Sequence, residues 1–158
     1  MSIQKSINEV LEHLFEGYQS NPTAIFDITE VIKEQNPTQD PNEFGTLLLN
    51  HGYIKNQQYR PTGFVCQISI NGIEKIAPSY LNDKIEKVVS TLGISGGQGS
   101  IMEILEFEDK NFQAAFDIVK YMENRGFIKQ GIYHHNDIII ELSLSGKEYF
   151  DKNKASFN

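Results

Sequence analysis

The chain has 158 residues, 39% of them apolar, with 14 Lys and Arg against 21 Asp and Glu for a net charge of −7. One cysteine excludes an internal disulfide and fits a reducing, cytoplasmic setting. No run approaches the roughly 20 apolar residues of a membrane helix, and the opening MSIQKSINEVLEHLF has acids inside its apolar periodicity, unlike a signal peptide.

In chain order, Ile7, Leu11, Leu14, Phe15 and Tyr18 share one face of a helix expected over 3–18, which Asn21-Pro22 breaks. Residues 24–28 read as a short strand or a linker. Thr29 suits the cap of a helix running to Gln35, and Asn36-Pro37 ends it, since a residue before proline avoids the helical region. Asp40 then reads as an N-cap with Pro41 in the first turn of a helix ending at His51-Gly52. Strands are expected over 53–59 and 64–70, joined by Arg60-Pro61-Thr62-Gly63, with a short helix over 72–77 and a boundary at Pro78.

The second half opens with a helix over 81–92, a glycine-rich loop over 94–99 and a helix over 100–107. Phe112, Ala115, Phe116, Val119 and Met122 mark the buried face of the next helix, which stops at Gly126. Phe127 and Ile128 start an extended run. Ile138, Ile140, Leu142 and Leu144 then alternate with Ile139, Glu141 and Ser143 as a second strand. Ser145 with Glu148 suits a capping box, and the tail 151–158 reads as frayed.

The halves repeat at an offset of 74 residues. Tyr59 falls on Tyr133, and Ser69, Gly72 and Glu74 fall on Ser143, Gly146 and Glu148. The helix face of Ile7, Leu11 and Leu14 falls on Leu81, Ile85 and Val88, and Phe64, Cys66 and Ile68 fall on Ile138, Ile140 and Leu142. A slip of one residue would exchange strand faces, so agreement in register is informative. The reading is one unit written twice, as domains 1–78 and 79–158, each small enough to favour packing on the other. The fold class is α+β, mainly α.

The segments IVKYMENRGFIK, ELSLSGKEYF and QISINGIEKI carry a family likeness. The first resembles the end of a recognition helix and the start of a wing in MarR-like regulators. The other two resemble the second wing strand and the turn after it, with Ser69 and Ser143 where that family often has threonine. The chain therefore resembles two winged-helix domains in tandem, each a three-helix core with a β-hairpin wing. The resemblance implies a non-enzymatic DNA-binding, transcription-regulator-like protein needing no cofactor, its third helix in the major groove and its wing on the backbone. Double-stranded DNA is one implied partner; the alternative is a protein held without DNA.

Carried onto this sequence, the reader would be Lys110, Asn111, Gln113, Lys120 and Asn124, with Tyr133, His134 and His135 on its wing and Arg60 on the other. The competing reading is a solvated helix face, because Asp117 and Glu123 share the neighbourhood and repel phosphate. The matching first-half helix offers Asn42, Glu43, Thr46 and Asn50 and no cation. The halves stand at −4 (5 basic, 9 acidic) and −3 (9 basic, 12 acidic), so neither is globally basic.

The remaining motifs are weaker. His134-His135 diverge as strand neighbours and lack a third metal ligand, so a solvated loop is expected. Cys66 reads as core. Gly96-Gly97-Gln98-Gly99 lacks the Lys-Ser/Thr of a phosphate loop and reads as a turn. Glu103, Glu106, Glu108 and Asp109 read as a solvated helix end, and His13 has no visible partner.

Overall fold

A computed structural model describes residues 2–61 and 63–157; Thr62 of the expected turn and Asn158 of the tail lie outside them. The chain divides into two compact units, Met1–Pro78 and Ser79–Asn158. Its described residues form eight α-helices and two three-stranded antiparallel sheets.

Unit 1 runs α1 (Ile3–Ser20), β1 (Phe26–Asp27), α2 (Thr29–Gln35), α3 (Pro41–Asn50), β2 (Ile54–Arg60), β3 (Gly63–Ile68) and α4 (Ile70–Ile76). Unit 2 runs α5 (Pro78–Ser95), β4 (Gln98–Ser100), α6 (Ile101–Leu105), a 3-10 turn (Asp109–Asn111), α7 (Phe112–Asn124), β5 (Ile132–His134), β6 (Asp137–Glu141) and α8 (Leu144–Asn153). A further 3-10 turn covers Lys154–Phe157. The sheet orders are β1-β3-β2 and β4-β6-β5, so each hairpin gains a third strand from the segment after the first helix. Ile54 faces Ile68 in one unit and Ile128 faces Leu142 in the other, again 74 residues apart.

The cores follow the apolar periodicity. Leu11, Leu14, Leu48, Phe64 and Cys66 are fully buried in unit 1, as are Val88, Val89, Ala115, Val119 and Ile138 in unit 2. In α7 the buried stripe is wider than expected. It takes in Ala114, Ile118 and Tyr121, while Phe112 and Phe116 are only half-buried. β3 lies between two strands and is buried on both faces. Its one long polar side chain, Gln67, is satisfied by Asn56 Nδ2 at 2.5 Å and by donating to the carbonyls of Thr23 and Ala24 at 2.7 and 3.1 Å.

The helix starts correct the sequence reading in three places. Thr29 does not cap α2. Its own N–H is held by Asp27 Oδ1 at 2.8 Å, and its hydroxyl accepts from the Phe64 N–H at 3.0 Å. Ser145 does not open α8; Ser143 does, accepting from Gly146 N at 3.0 Å. The last strand therefore stops before Leu144, which is 84% exposed in the first turn of α8. The same happens at Ser69, so Ile70 is helical rather than the end of a strand. Gln98 and Gly99, expected in a turn, pair with Glu141 and Ile140 as β4. Residues 151–153, expected to fray, complete α8.

The serines make one clasp in each unit. Ser69 Oγ donates to the Gly52 carbonyl, and Ser143 Oγ to that of Gly126, both at 2.5 Å. Gly52 and Gly126 end α3 and α7 with φ of 74° and 79°, a left-handed conformation in which a side chain would be strained. A Cβ on Gly72 or Gly146 would run into the carbonyl of Tyr53 or Phe127.

Three outcomes are expected. Ser143→Ala should cost about 1–2 kcal/mol in chemical denaturation, by loss of a cap and of a carbonyl's donor. Gly146→Ala should cost about 1–3 kcal/mol through overpacking against backbone. The Asp27 carboxyl is held below its ordinary value of 3.8, chiefly by its hydrogen bonds from Thr29, with Arg60 adding attraction. Its contribution is present above that ordinary value and is lost as pH falls through the lower folded one. Acid titration of stability should show this loss in the wild type, and Asp27→Ala should flatten it.

Candidate functional site

α7 and the β5–β6 hairpin bring four residues together. Lys120 lies one helical turn from Phe116 and from Glu123, so all three share a face. Its Nζ is 3.3 Å from Glu123 Oε1, 5.6 Å from the Phe116 ring centre and 5.1 Å from that of Tyr133 on β5. The two rings lie 5.7 Å apart, tilted by 50°. The Tyr133 hydroxyl and the Glu123 carboxylate, in that order, raise the Lys120 pKa above its ordinary value. Glu123 also accepts from the Gly131 N–H at 2.9 Å, which ties the segment before β5 to the helix.

The other predicted contacts are dispersed. Gln113 Nε2 donates to Asp117 Oδ1 at 3.0 Å, turning an expected base reader toward its own helix. Lys110 precedes α7 and lies 3.6 Å from Glu108, both ends exposed. Asn111 closes the 3-10 turn at the N-cap position of α7 but makes no capping hydrogen bond there. Asn124 is exposed at the last residue of α7. His134 and His135 are exposed at the hairpin turn, where Asn136 takes a φ of 60°. Arg60 belongs to unit 1, exposed at the end of β2, with its guanidinium 3.3 Å from Gln58 Oε1.

Sequence reasoning missed the aromatic side of this face. The periodicity of α7 places Phe116 in the core, whereas it is half-buried and meets Tyr133. Spacing along α7 relates Phe116, Lys120 and Glu123, but nothing local relates them to Tyr133. Unit 1 has the same contact in neutral form. Thr46 and Tyr59, equivalent to Lys120 and Tyr133, approach through their hydroxyls at 3.1 Å, and Tyr59 meets Phe64 edge-on at 5.0 Å.

The remaining sequence candidates do not assemble a reactive centre. Among the described residues no group of three His, Cys, Asp or Glu side chains could hold a metal ion. Glu106 forms a 2.8 Å ion pair with Lys87, and Glu108 faces Lys110. No helix among the described residues is long and apolar enough to cross a membrane. Neither protein-family models, curated proteins nor solved structures give a match to the chain.

Cys66 is fully buried in β3, and burial pushes its thiol up to about 12. At pH 8 the reactive thiolate should then be on the order of 10⁻⁴ of the population, before any barrier to access. A chromogenic disulfide reagent should leave the native chain unmodified over the time it labels free cysteine, and should label it fully in denaturant.

Proposed function

We propose that each unit is a winged helix, a three-helix core with a hairpin wing, and that the chain is a non-enzymatic module holding a protein partner. The contact face is α7 with its wing in unit 2. The observation that carries this reading is the makeup of that face. The cation at its centre, Lys120, sits beside the Glu123 carboxylate, while the half-buried Phe116 ring and the 39% exposed Tyr133 ring stand next to it. Partly exposed aromatic side chains beside a paired charge suit a protein contact, in which a few aromatic anchors supply most of the affinity.

A polyanion would meet a different balance. Phosphate binding draws its affinity from uncompensated Lys and Arg. Here a lysine that turned toward phosphate would leave Glu123 or Glu108 beside it, with Asp117 on the same helix. The α3 helix of unit 1 offers no cation at all. DNA reading, implied by the family resemblance, is the competing outcome of the same experiment.

Fluorescence anisotropy with mixed-sequence duplex DNA at 50 mM salt should give a dissociation constant weaker than about 10⁻⁴ M, the weak end of ordinary non-specific binding. In parallel, wild-type chain should retain a partner from its native lysate, and Tyr133→Ala should lose it at unchanged melting temperature. Duplex binding that is tight, salt-dependent and reduced by Lys120→Glu would replace this reading with the DNA one.

A further inference from the structure

Unit 1 closes a space that unit 2 leaves open. At positions 74 residues apart, unit 1 has Tyr18, Gln67 and Ile73, all buried, where unit 2 has Leu92, Glu141 and Lys147. The short strands align the loops before them. Phe26 of β1 faces Cys66, and Gly99 of β4 faces Ile140, the equivalent of Cys66. Thr23 and Ala24 therefore correspond to Gly96 and Gly97. In unit 1 the Gln67 amide donates to both loop carbonyls, those of Thr23 and Ala24. Glu141 is a carboxylate and has no proton to donate. It accepts from Lys129 and Gln98 instead, and among the described residues no side chain bonds the Gly96 or Gly97 carbonyl.

A cavity of about 430 Å³ opens at this place in unit 2, between the end of α5, β6 and α8. That volume is within the ordinary range of small-molecule pockets, about 300–1,000 Å³. Its apolar part is Leu92 and Leu142, both nearly fully buried, with the Phe150 ring, which packs onto Gly93. Its charged part is two carboxylates, Glu141 and Asp151, against one ammonium, Lys147. Hydrogen bonds from Lys129 and Gln98 hold the Glu141 carboxyl below its ordinary value of 4.5, and Lys147 adds attraction. Asp151 is exposed one turn further along α8, and no cation among the described residues pairs with it. α5 ends at the same wall with no basic residue in its last turn, so the negative end of its dipole is uncompensated. The balance favours a cation over an anion.

We propose that the α5–β6–α8 cavity of unit 2 binds a small organic cation, a primary amine on a flat apolar body, with its ammonium at the Gly96 and Gly97 carbonyls and Asp151 and its ring against Leu92, Leu142 and Phe150. The ligand supplies from outside what unit 1 supplies from within, an N–H donor for the loop and a ring beside the first helix. The site is separate from the contact face on α7 and stands whether or not that face holds a partner. The probe is 2-phenylethylamine, and 2-phenylethanol is the matched control without the charge. Titrated into the full chain at pH 7 and low salt and followed by amide nitrogen–proton spectra, the amine should shift resonances of residues 92–98 and 141–151. It should saturate with a dissociation constant of about 1 mM or tighter. The alcohol should bind about fivefold or more weakly, and 3-phenylpropanoate, of similar shape and opposite charge, should not bind. Asp151→Asn should weaken the amine about fivefold and leave the alcohol unchanged. Leu92→Tyr with Glu141→Gln, which places the residues of unit 1 in unit 2, should abolish binding. Absence of saturable shifts, equal binding of amine and alcohol, or shifts located in unit 1 would each overturn the proposal. The matched ligands and the exposed Asp151→Asn test it even if the double variant does not fold.

Discussion

One hydroxyl in each unit ties together three pieces of backbone that would otherwise diverge. Ser69 and Ser143 follow the last strand. Their side chains reach back to the glycine carbonyl that ends the third helix and receive the N–H of the glycine in the next helix's first turn. Their own N–H groups bond the carbonyls of Tyr53 and Phe127 at 2.9 and 3.1 Å. The chain can leave the third helix only through a left-handed residue, and the last helix can approach only where a residue lacks Cβ. Two glycines per unit therefore surround each serine. A threonine would offer the same hydroxyl, so serine at these positions preserves the bonding and gives up only a methyl group.

Long elements were legible because their periodicities are long. α1, α5 and α7 each repeat apolar residues often enough to name a face, and Asp40-Pro41 announces the start of α3 through its cap, with Asp40 accepting from Asn42 N at 3.0 Å. The clasp was not legible. Apolar alternation continues through Leu144, so Ser143 read as an outward strand residue when it is a cap. β1 and β4 have two and three residues, too few for any period to show, and they form because a partner strand is already in place. Thr29 misled for a related reason: a hydroxyl before an apolar run looks like a cap whether its partner is the local helix or a strand 35 residues away. At the candidate site the exposure of Lys120 was readable. Its contact with Tyr133 crosses two elements and was not.

The charge on α7 and in the turn before it works against a polyanion through what is left behind, and only slightly through the ion pairs themselves. An exposed pair such as Lys110–Glu108 contributes about 1 kcal/mol or less and exchanges readily. A lysine could therefore leave its carboxylate for a phosphate at small cost. The carboxylate, however, stays within a few ångströms of the same phosphate. Glu123 is the firmest case, because the Gly131 N–H holds it in place when Lys120 turns away. The rings of Phe116 and Tyr133 have no such conflict with an incoming protein surface.

The equivalent positions of the two units separate what the scaffold requires from what it leaves open. Gly45 and Phe64 in unit 1 stand where Val119 and Ile138 stand in unit 2. The Phe64 ring occupies the space above Gly45, where a Cβ would sit 2.6 Å from it. Enlarging the helix residue while shrinking the strand residue fills the same space from the opposite side, the kind of volume exchange that cores tolerate best. The contact above it is kept in both units as a tyrosine on the hairpin, but its helix partner changes from the Thr46 hydroxyl to the Lys120 ammonium. A tyrosine ring accepts either, since its hydroxyl can bond a hydroxyl and its face and oxygen can attract a cation. The hairpin is therefore positioned against the third helix by the aromatic residue, and the helix residue is free to set the charge that each unit shows to its surroundings.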